Sequence, residues 1–160
     1  MKSNKVYGNI SKETAEFMQA LIATLKIKSI LEIGSSTGYS SYMFSRFCQD
    51  IETIEFSADR IKLFRKYQKK YDNPAKLIEG DALKILPTIT RKYDLIFIDG
   101  VNADYLKYFR LSLPLLNKDG IIVADNTIEF EDKMKDFFEE IKKYSNITLN
   151  IGEGLTIIDL

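Results

Sequence analysis

The sequence contains no histidine, and only one of its 160 residues is a cysteine. The lack of histidine excludes serine–histidine–aspartate catalytic triads and zinc sites with histidine ligands. Cys48 has no second thiol for a disulfide, and its neighbours Phe44 and Phe47 indicate a buried position on a helix. Any metal would therefore be bound through oxygen ligands, which favours magnesium or a similar hard cation.

The sequence also lacks a charge imbalance and a long apolar run. Its 23 lysines and arginines balance 23 acidic residues, so the broad basic field of a dedicated nucleic-acid binder is missing. No run approaches the roughly 20 apolar residues that cross a bilayer. The first residues lead into no apolar segment of a secretory signal. We expect a single domain over residues 1–160, cytoplasmic and without a membrane partner.

Short apolar runs alternate with amphipathic segments, and this alternation is typical of a parallel α/β sheet. The predicted parallel strands are Ser29–Ile33, Glu52–Phe56, Lys76–Glu79, Asp94–Asp99 and Ile121–Asp125. Two more runs, Ile147–Ile151 and Leu155–Asp159, flank Gly152-Glu153-Gly154 and predict an antiparallel hairpin. This order of elements resembles the methyltransferase variant of the Rossmann-like α/β sandwich more than a dehydrogenase. The predicted seven-stranded, mostly parallel sheet ends in this hairpin and carries helices on both faces.

Helical periodicity fills the segments between the strands. One helix is predicted to start near Ser11, which is a suitable N-cap. Another begins near Asn102 and is ended or kinked by Pro114, after which Asp119-Gly120 turns the chain into the fifth strand. A third is marked by apolar residues from Phe130 to Ile141. A further helix carries a run of basic residues. We interpret this run as a solvent-exposed face, and the alternative is a contact with RNA. The basic residues are Lys62, Arg65, Lys66, Lys69 and Lys70.

A glycine turn, Gly34 to Gly38, follows the first predicted strand, where doubly wound sheets bind their ligands. Gly34 permits a tight turn, and Gly38 lets the next helix start near the ligand. A dinucleotide fingerprint needs another glycine where Ser35 and Ser36 stand, so a pyrophosphate would be poorly bound. S-adenosylmethionine is the alternative ligand, because it carries an amino-acid group, a sulfonium and a ribose but no phosphate.

Acidic residues lie at the ends of three successive strands and suit this ligand. Glu32 is expected close to the cationic group, Glu55 is able to accept hydrogen bonds from both ribose hydroxyls, and Asp81 is expected to border the adenine. The alternative is that these acids only cap helices.

Four segments of the chain resemble the cation-dependent O-methyltransferases, a family that includes catechol and caffeoyl-CoA O-methyltransferases. They are Leu31–Ser40, Tyr93–Asp99, Gly120–Asn126 and Gly152–Thr156, and the resemblance runs from about Ser11 to Ile158. The resemblance implies that Mg²⁺ is held by Asp99, Asp125 and Asn126. Two carboxylates and an amide oxygen are hard ligands that would leave room for water and substrate. The alternative is a turn at Asp99-Gly100 and a helix cap at Asp125-Asn126.

The same resemblance implies that the cofactor site is lined by Gly34, Ser36, Ser40, Glu55 and Ala82. It also implies that Asp99, the candidate catalytic residue, lies next to both the metal and the methyl donor.

The chain departs from the family at Asn102, where members commonly carry a lysine that acts as general base. The stretch after Asn126 is also short, so we expect an open site with little lid. The predicted function is methyl transfer from S-adenosylmethionine to a hydroxyl of a small aromatic or vicinal-diol acceptor, assisted by a divalent cation. The alternatives are a metal-independent RNA or protein methyltransferase, and a catalytically silent cofactor-binding module. Zero net charge disfavours tRNA as a partner, and a homodimer is compatible with the sequence.

Overall fold

The computed structural model describes residues 8–160, and a seven-stranded sheet forms the centre of this part of the chain. The strands are β1 (Ser29–Ile33), β2 (Asp50–Glu55), β3 (Lys76–Glu79), β4 (Tyr93–Ile98), β5 (Leu116–Asp125), β6 (Ser145–Leu149) and β7 (Leu155–Asp159). Their order across the sheet is β3-β2-β1-β4-β5-β7-β6. The pairs among β1 to β5 are parallel, whereas β7 is antiparallel to both β5 and β6. The predicted mostly parallel sheet with an antiparallel C-terminal hairpin is confirmed.

Six α-helices of the described chain cover both faces of this sheet. They are α1 (Lys12–Leu25), α2 (Tyr39–Phe44), α3 (Ala58–Tyr71), α4 (Ala82–Ile85), α5 (Tyr105–Ser112) and α6 (Lys135–Ile141). Successive residues of a strand point to opposite faces, so β4 contributes Phe97 to the core under α1, α2 and α3, and Ile96 to the core under α4, α5 and α6. Both layers are therefore anchored on the same central strand, as the sequence predicts.

Several local predictions are confirmed. Ser11 caps α1, because its Oγ accepts a hydrogen bond of 3.0 Å from the backbone N–H of Thr14. Pro114 lies in a 3₁₀ turn that directly follows α5, so this helix ends where the ring would clash with it. Cys48 is buried. On the basic helix α3, Lys62 pairs with an acidic neighbour on the exposed surface, in agreement with a solvated face.

Other boundaries differ because tertiary pairing decides them. β5 begins at Leu116 rather than Ile121, since Leu116 pairs with Tyr93 before the register shifts. Asp119, at φ +64°, belongs to that irregularity within β5, so Asp119-Gly120 is not a turn that precedes the strand. The predicted helix from Phe130 is also wrong at its start: residues 127–130 form a turn, a 3₁₀ turn follows, and α6 begins only at Lys135.

Strand direction determines where polar side chains gather. β1 to β5 are parallel, so their carboxyl ends meet at one edge of the sheet, and the residues that follow them lie close together.

Along residues 8–160 we find no helix with the length and apolar character needed to cross a membrane.

Candidate functional site

Two adjoining cavities open at the carboxyl edge of the sheet. The first has a volume of about 460 Å³ and lies around the ends of β1, β2 and β4. The second, of about 340 Å³, lies around the ends of β4 and β5 and the turns that follow them. Four residues line both: Arg60, Asp99, Gly100 and Asn102. A ligand in one cavity would therefore lie beside a ligand in the other, with Asp99 at the boundary.

Gly34 brings the ends of β1 and β4 into close contact. Its φ is +94°, and a Cβ atom built on it would lie 2.1 Å from the backbone oxygen of Asp99. The Asp99 N–H donates a 2.9 Å hydrogen bond to the carbonyl of Ile33 at the same place. Only glycine fits here, because any side chain would collide with backbone that cannot move aside.

Glu55, at the end of β2, is held rigidly in the wall of the first cavity. Its carboxylate accepts backbone hydrogen bonds from Ser36 (2.9 Å), Phe56 (2.9 Å) and Ser57 (2.8 Å), and the residue is buried. A carboxylate has about four acceptor sites, so Glu55 can still accept from a hydroxyl of a ribose-like ligand. Phe56 lines the same cavity with a ring that is 60% exposed, an apolar surface on which a base can stack.

Asp125, at the end of β5, is fully buried, and neither of its carboxylate oxygens has a hydrogen-bond partner within residues 8–160. Burial raises the pKa of this carboxyl from 3.8 to about 7, helped by the charges of Glu153 and Glu129. The backbone N–H of Asn126 offsets part of the rise without making a full hydrogen bond. A buried carboxylate with two unpartnered oxygens is costly, so the site favours a group that neutralises it.

Asp99 adds a second carboxylate to the same place. Burial and the charges of Asp125 and Glu32 raise the pKa of Asp99 well above its usual range, and Arg60 offsets part of this rise. Two adjacent carboxylates cannot both ionise cheaply unless a cation lies between them. The charge arrangement therefore suits a bound cation.

Asn126 supplies the third oxygen that such a cation would need. It follows β5 with a left-handed φ of +61° and lines the second cavity with both aspartates. Within residues 8–160, no three acidic, histidine or cysteine side chains are grouped as a metal site. Asn126 would add an amide oxygen to the two carboxylates, and all three are hard ligands of the kind that suits Mg²⁺. The alternative of a helix cap is not supported for Asp125, since neither of its carboxylate oxygens accepts a hydrogen bond from the turn at residues 127–130.

The structure brings part of the predicted set of site residues together. The first cavity is lined by Gly34, Glu55, Ala82 and Asp99, and the second by Asp99, Asp125 and Asn126. The other predicted cofactor residues are outside both linings: Glu32, Ser36, Gly38, Ser40 and Asp81. Their roles towards a ligand stay predictions, and the structure gives each of them a local role as well.

Three of these local roles are evident from contacts. Gly38 faces Phe64, because a Cβ built on it would lie 2.7 Å from that ring, so it serves the packing of α3. Asp81 caps α4 by accepting a 3.0 Å hydrogen bond from the Leu83 N–H, the capping role that was the alternative interpretation for these acids. Ser36, at φ +47°, contributes its backbone N–H to Glu55.

Glu32 and Ser40 form a buried polar pair beside the cavities. Glu32 is fully buried in β1, and its Oε2 accepts a 2.6 Å hydrogen bond from the Thr53 hydroxyl. Burial raises the pKa of Glu32 to about 7, although Ser40 and Thr53 act in the opposite direction. Glu32 is thus a buried acid of the sheet rather than part of the cavity surface.

Phe56, Arg60 and Tyr108 are among the residues of the first cavity that sequence reasoning missed. Phe56 follows Glu55 directly, and an apolar residue after a strand-end acid was a usable signal. Arg60, in the first turn of α3, lines both cavities, but only the packing of that helix shows where it lies. Tyr108 packs its ring against Gly100, where a Cβ would lie 2.8 Å from it.

A doubly wound sheet, a glycine turn after β1 and an acid at the end of β2 define the class of α/β proteins that bind nucleotide-like ligands at the strand ends. Within this class, a family model described as O-methyltransferase matches residues 2–156, so the chain belongs to that family.

Two curated relatives and one solved structure illustrate the similarity. The O-methyltransferase ankF of Aspergillus thermomutatus is 32% identical over 123 residues, which cover 71% of this chain and 52% of the relative. The catechol O-methyltransferase of Niastella koreensis is 29% identical over 129 residues, or 75% of this chain and 58% of the relative. The chain thus spans little more than half the length of either. The SAH-bound methyltransferase PaMTH1 of Podospora anserina superposes with a TM-score of 0.86 at 27% identity, covering 98% of this chain and 82% of that one.

Proposed function

We propose that this chain transfers a methyl group from S-adenosylmethionine to a hydroxyl oxygen of a small acceptor, with the help of a divalent cation. The observation that carries the proposal is the meeting of the two cavities at Asp99. Glu55 is anchored in the wall of one cavity, and the unpartnered carboxylate of Asp125 lies in the other. Membership of the O-methyltransferase family and the SAH bound to the Podospora relative support the choice of cofactor.

The first cavity has the groups that this cofactor needs. Glu55 would accept a hydrogen bond from a ribose hydroxyl through its remaining acceptor position, and Phe56 and Ala82 would provide apolar contacts for the base. When bound, S-adenosylmethionine supplies an electrophilic methyl group. Asp99 would balance the positive charge of the sulfonium from the boundary between the two cavities.

The second cavity would hold the cation and the acceptor. Asp99, Asp125 and Asn126 would bind the cation through oxygen atoms. The single Arg60 guanidinium among the described lining residues does not balance the negative charge of the two carboxylates. When bound, the cation lowers the pKa of the acceptor hydroxyl and orients its oxygen. Because Asp99 belongs to both cavities, it would fix the methyl donor relative to the acceptor, and positioning of this kind accounts for a large share of catalysis.

Asn102 makes the cation more important in this chain. It lines both cavities where the family commonly has a lysine, and an amide cannot accept the hydroxyl proton. Loss of the proton from the acceptor hydroxyl would then depend on the positive charge of the cation that Asp99 and Asp125 would bind. Methyl transfer should accordingly depend strongly on the added cation.

The size of the second cavity favours a small acceptor. A volume of about 340 Å³ accommodates a single aromatic ring with neighbouring hydroxyls, and a catechol O-methyltransferase is among the relatives. A macromolecular acceptor such as tRNA would have to reach the cavity from outside, and it remains an outcome of the test below.

The cofactor part of the proposal is tested by calorimetric titration with S-adenosylhomocysteine. Saturable binding to one site is expected, and the absence of binding would overturn the proposal. A Glu55→Gln variant should bind more weakly, because its amide replaces one of the acceptor oxygens. Glu16→Gln on the exposed surface of α1 is the matched control and should bind like the wild type.

The reaction is tested with labelled S-adenosylmethionine and four acceptors: a catechol, a monohydric phenol, bulk tRNA and a protein mixture. Transfer to the catechol is expected with Mg²⁺, and little transfer is expected with chelator or in Asp125→Ala. Asp132→Ala, which removes a nearby but almost fully exposed acid, should keep the wild-type rate. Chelator-resistant transfer to tRNA or protein alone would favour the metal-independent alternative. Binding without transfer to any acceptor would indicate a silent module.

A further inference from the structure

The pairing of β4 and β5 ends at the candidate cation site. The two strands pair as parallel neighbours as far as Ile98 and Ala124. One residue further on, the Asp99 N–H donates to the carbonyl of Ile33 on β1, and Asp125 lies opposite Leu155 of β7. The ladder between β4 and β5 therefore stops at the level of the two aspartates, and we call this unpaired stretch the gap.

A tyrosine hydroxyl bridges this gap at the backbone. The Tyr105 hydroxyl lies 3.0 Å from the carbonyl oxygen of Asp125 and 3.4 Å from that of Ile98. Since a hydroxyl donates one proton, the nearer Asp125 carbonyl is its main acceptor. Tyr105 is only 1% exposed, so water cannot readily replace this contact. The hydroxyl takes the position in which a continued ladder would join the two strands.

The ring that carries this hydroxyl is itself fixed. It packs edge-on against Phe137, with centroids 5.9 Å apart, and beside Tyr108 at 6.4 Å. Tyr105 also begins α5, which follows Asp99 after one 3₁₀ turn, Asn102–Asp104. The segment that carries one aspartate therefore returns to hold the backbone of the other.

We propose that Tyr105 is a positioning residue whose hydroxyl sets the separation of the Asp99 and Asp125 carboxylates. This inference rests on the proposed function, in which these carboxylates bind a divalent cation. A small cation tolerates little error in ligand separation, so a change in the gap should weaken its binding. Groups that orient ligands in this indirect way typically contribute 10-fold or more to metal affinity.

The test compares Tyr105→Phe with wild-type protein. Manganese binding is measured by electron paramagnetic resonance of the free ion, and S-adenosylhomocysteine binding is measured by calorimetry. Tyr105→Phe should raise the Kd for manganese roughly 10-fold or more and leave the nucleoside affinity unchanged. Phe137→Leu keeps the hydroxyl but loosens the ring, so it should weaken manganese binding less than Tyr105→Phe.

Tyr93→Phe is the matched control, because it removes another buried tyrosine hydroxyl from the same hydrophobic core. The Tyr93 hydroxyl donates to Glu52, far from the carboxyl edge of the sheet. This variant should lower the melting temperature and leave manganese binding unchanged. Wild-type manganese affinity in Tyr105→Phe, or an equal loss in Tyr93→Phe, would overturn the inference. Wild-type protein that binds no manganese, or Asp125→Ala that binds it normally, would overturn the proposed function and this inference with it.

Discussion

Glu32 offers a direct test of whether burial governs the electrostatics of this site. Its carboxyl is fully enclosed in β1, where Oε2 accepts from the Thr53 hydroxyl and Oε1 accepts no hydrogen bond from the described residues. Burial raises its pKa from 4.5 to about 7. Glu32→Gln removes the charge, keeps the shape and retains an oxygen that can accept from Thr53.

The expected effect follows from where the proton is bound. Below about pH 4.5 the carboxyl is protonated in both the folded and the unfolded chain. As the pH rises from 4.5 to 7, the unfolded chain releases its proton while the folded chain retains it, so stability falls through this window. Above pH 7 the folded chain carries the buried charge, and the accumulated loss is about 3 kcal/mol. Glu32→Gln should escape this loss.

Urea unfolding of wild type and Glu32→Gln at pH 5, 6, 7 and 8 measures this effect, with no metal or nucleoside present. The variant should gain about 2–3 kcal/mol relative to wild type between pH 5 and pH 8. At pH 8 this gain corresponds to a melting temperature higher by roughly 4–12 °C. Glu16→Gln, exposed on α1, controls for the substitution itself. A difference between wild type and Glu32→Gln that does not change with pH would refute the reasoning.

Three further predictions concern the cavities. Gly34→Ala should cost roughly 3–5 kcal/mol in urea unfolding, because its Cβ would lie 2.1 Å from the Asp99 carbonyl oxygen; wild-type stability would contradict the close approach. Asp125→Asn should raise the free energy of unfolding of the metal-free protein at pH 8 by roughly 2–4 kcal/mol, and it should weaken Mg²⁺ binding in calorimetry. A loss of stability would contradict the claim that the Asp125 carboxylate is buried without a hydrogen-bond partner among the described residues. Asn102→Lys should raise kcat for a catechol roughly 10-fold or more, and an unchanged rate would show that no base is missing.

The succession of strands along the chain was predictable because buried parallel strands are short, apolar and separated by helices. The bounds of β1, β3 and β7 agree with those predicted from the sequence. The early start of β5 was not predictable, since it depends on the pairing of Leu116 with Tyr93 across an irregular register. The late start of α6 likewise depends on the turn after Asn126, which the apolar pattern from Phe130 conceals.

The candidate site was predictable where a residue ends a strand or follows it directly. Glu55, Asp99, Asp125 and Asn126 all line the cavities, because parallel strands end at one edge. Arg60 was missed because its position depends on how α3 packs, and no motif marks it.

The short motifs also conceal purely local roles. Gly38 leaves room for the ring of Phe64, and Asp81 caps a helix. A motif therefore identifies the region of a site more reliably than it identifies the atoms that face the ligand.

The central claim is that two ligands lie side by side across Asp99. A crystal structure of the chain soaked with S-adenosylhomocysteine and Mn²⁺, with anomalous data for the metal, tests it most directly. The account predicts nucleoside density in the first cavity with its ribose on Glu55, and one anomalous peak in contact with Asp99, Asp125 and Asn126. Nucleoside bound elsewhere, or no manganese at Asp125, would contradict it.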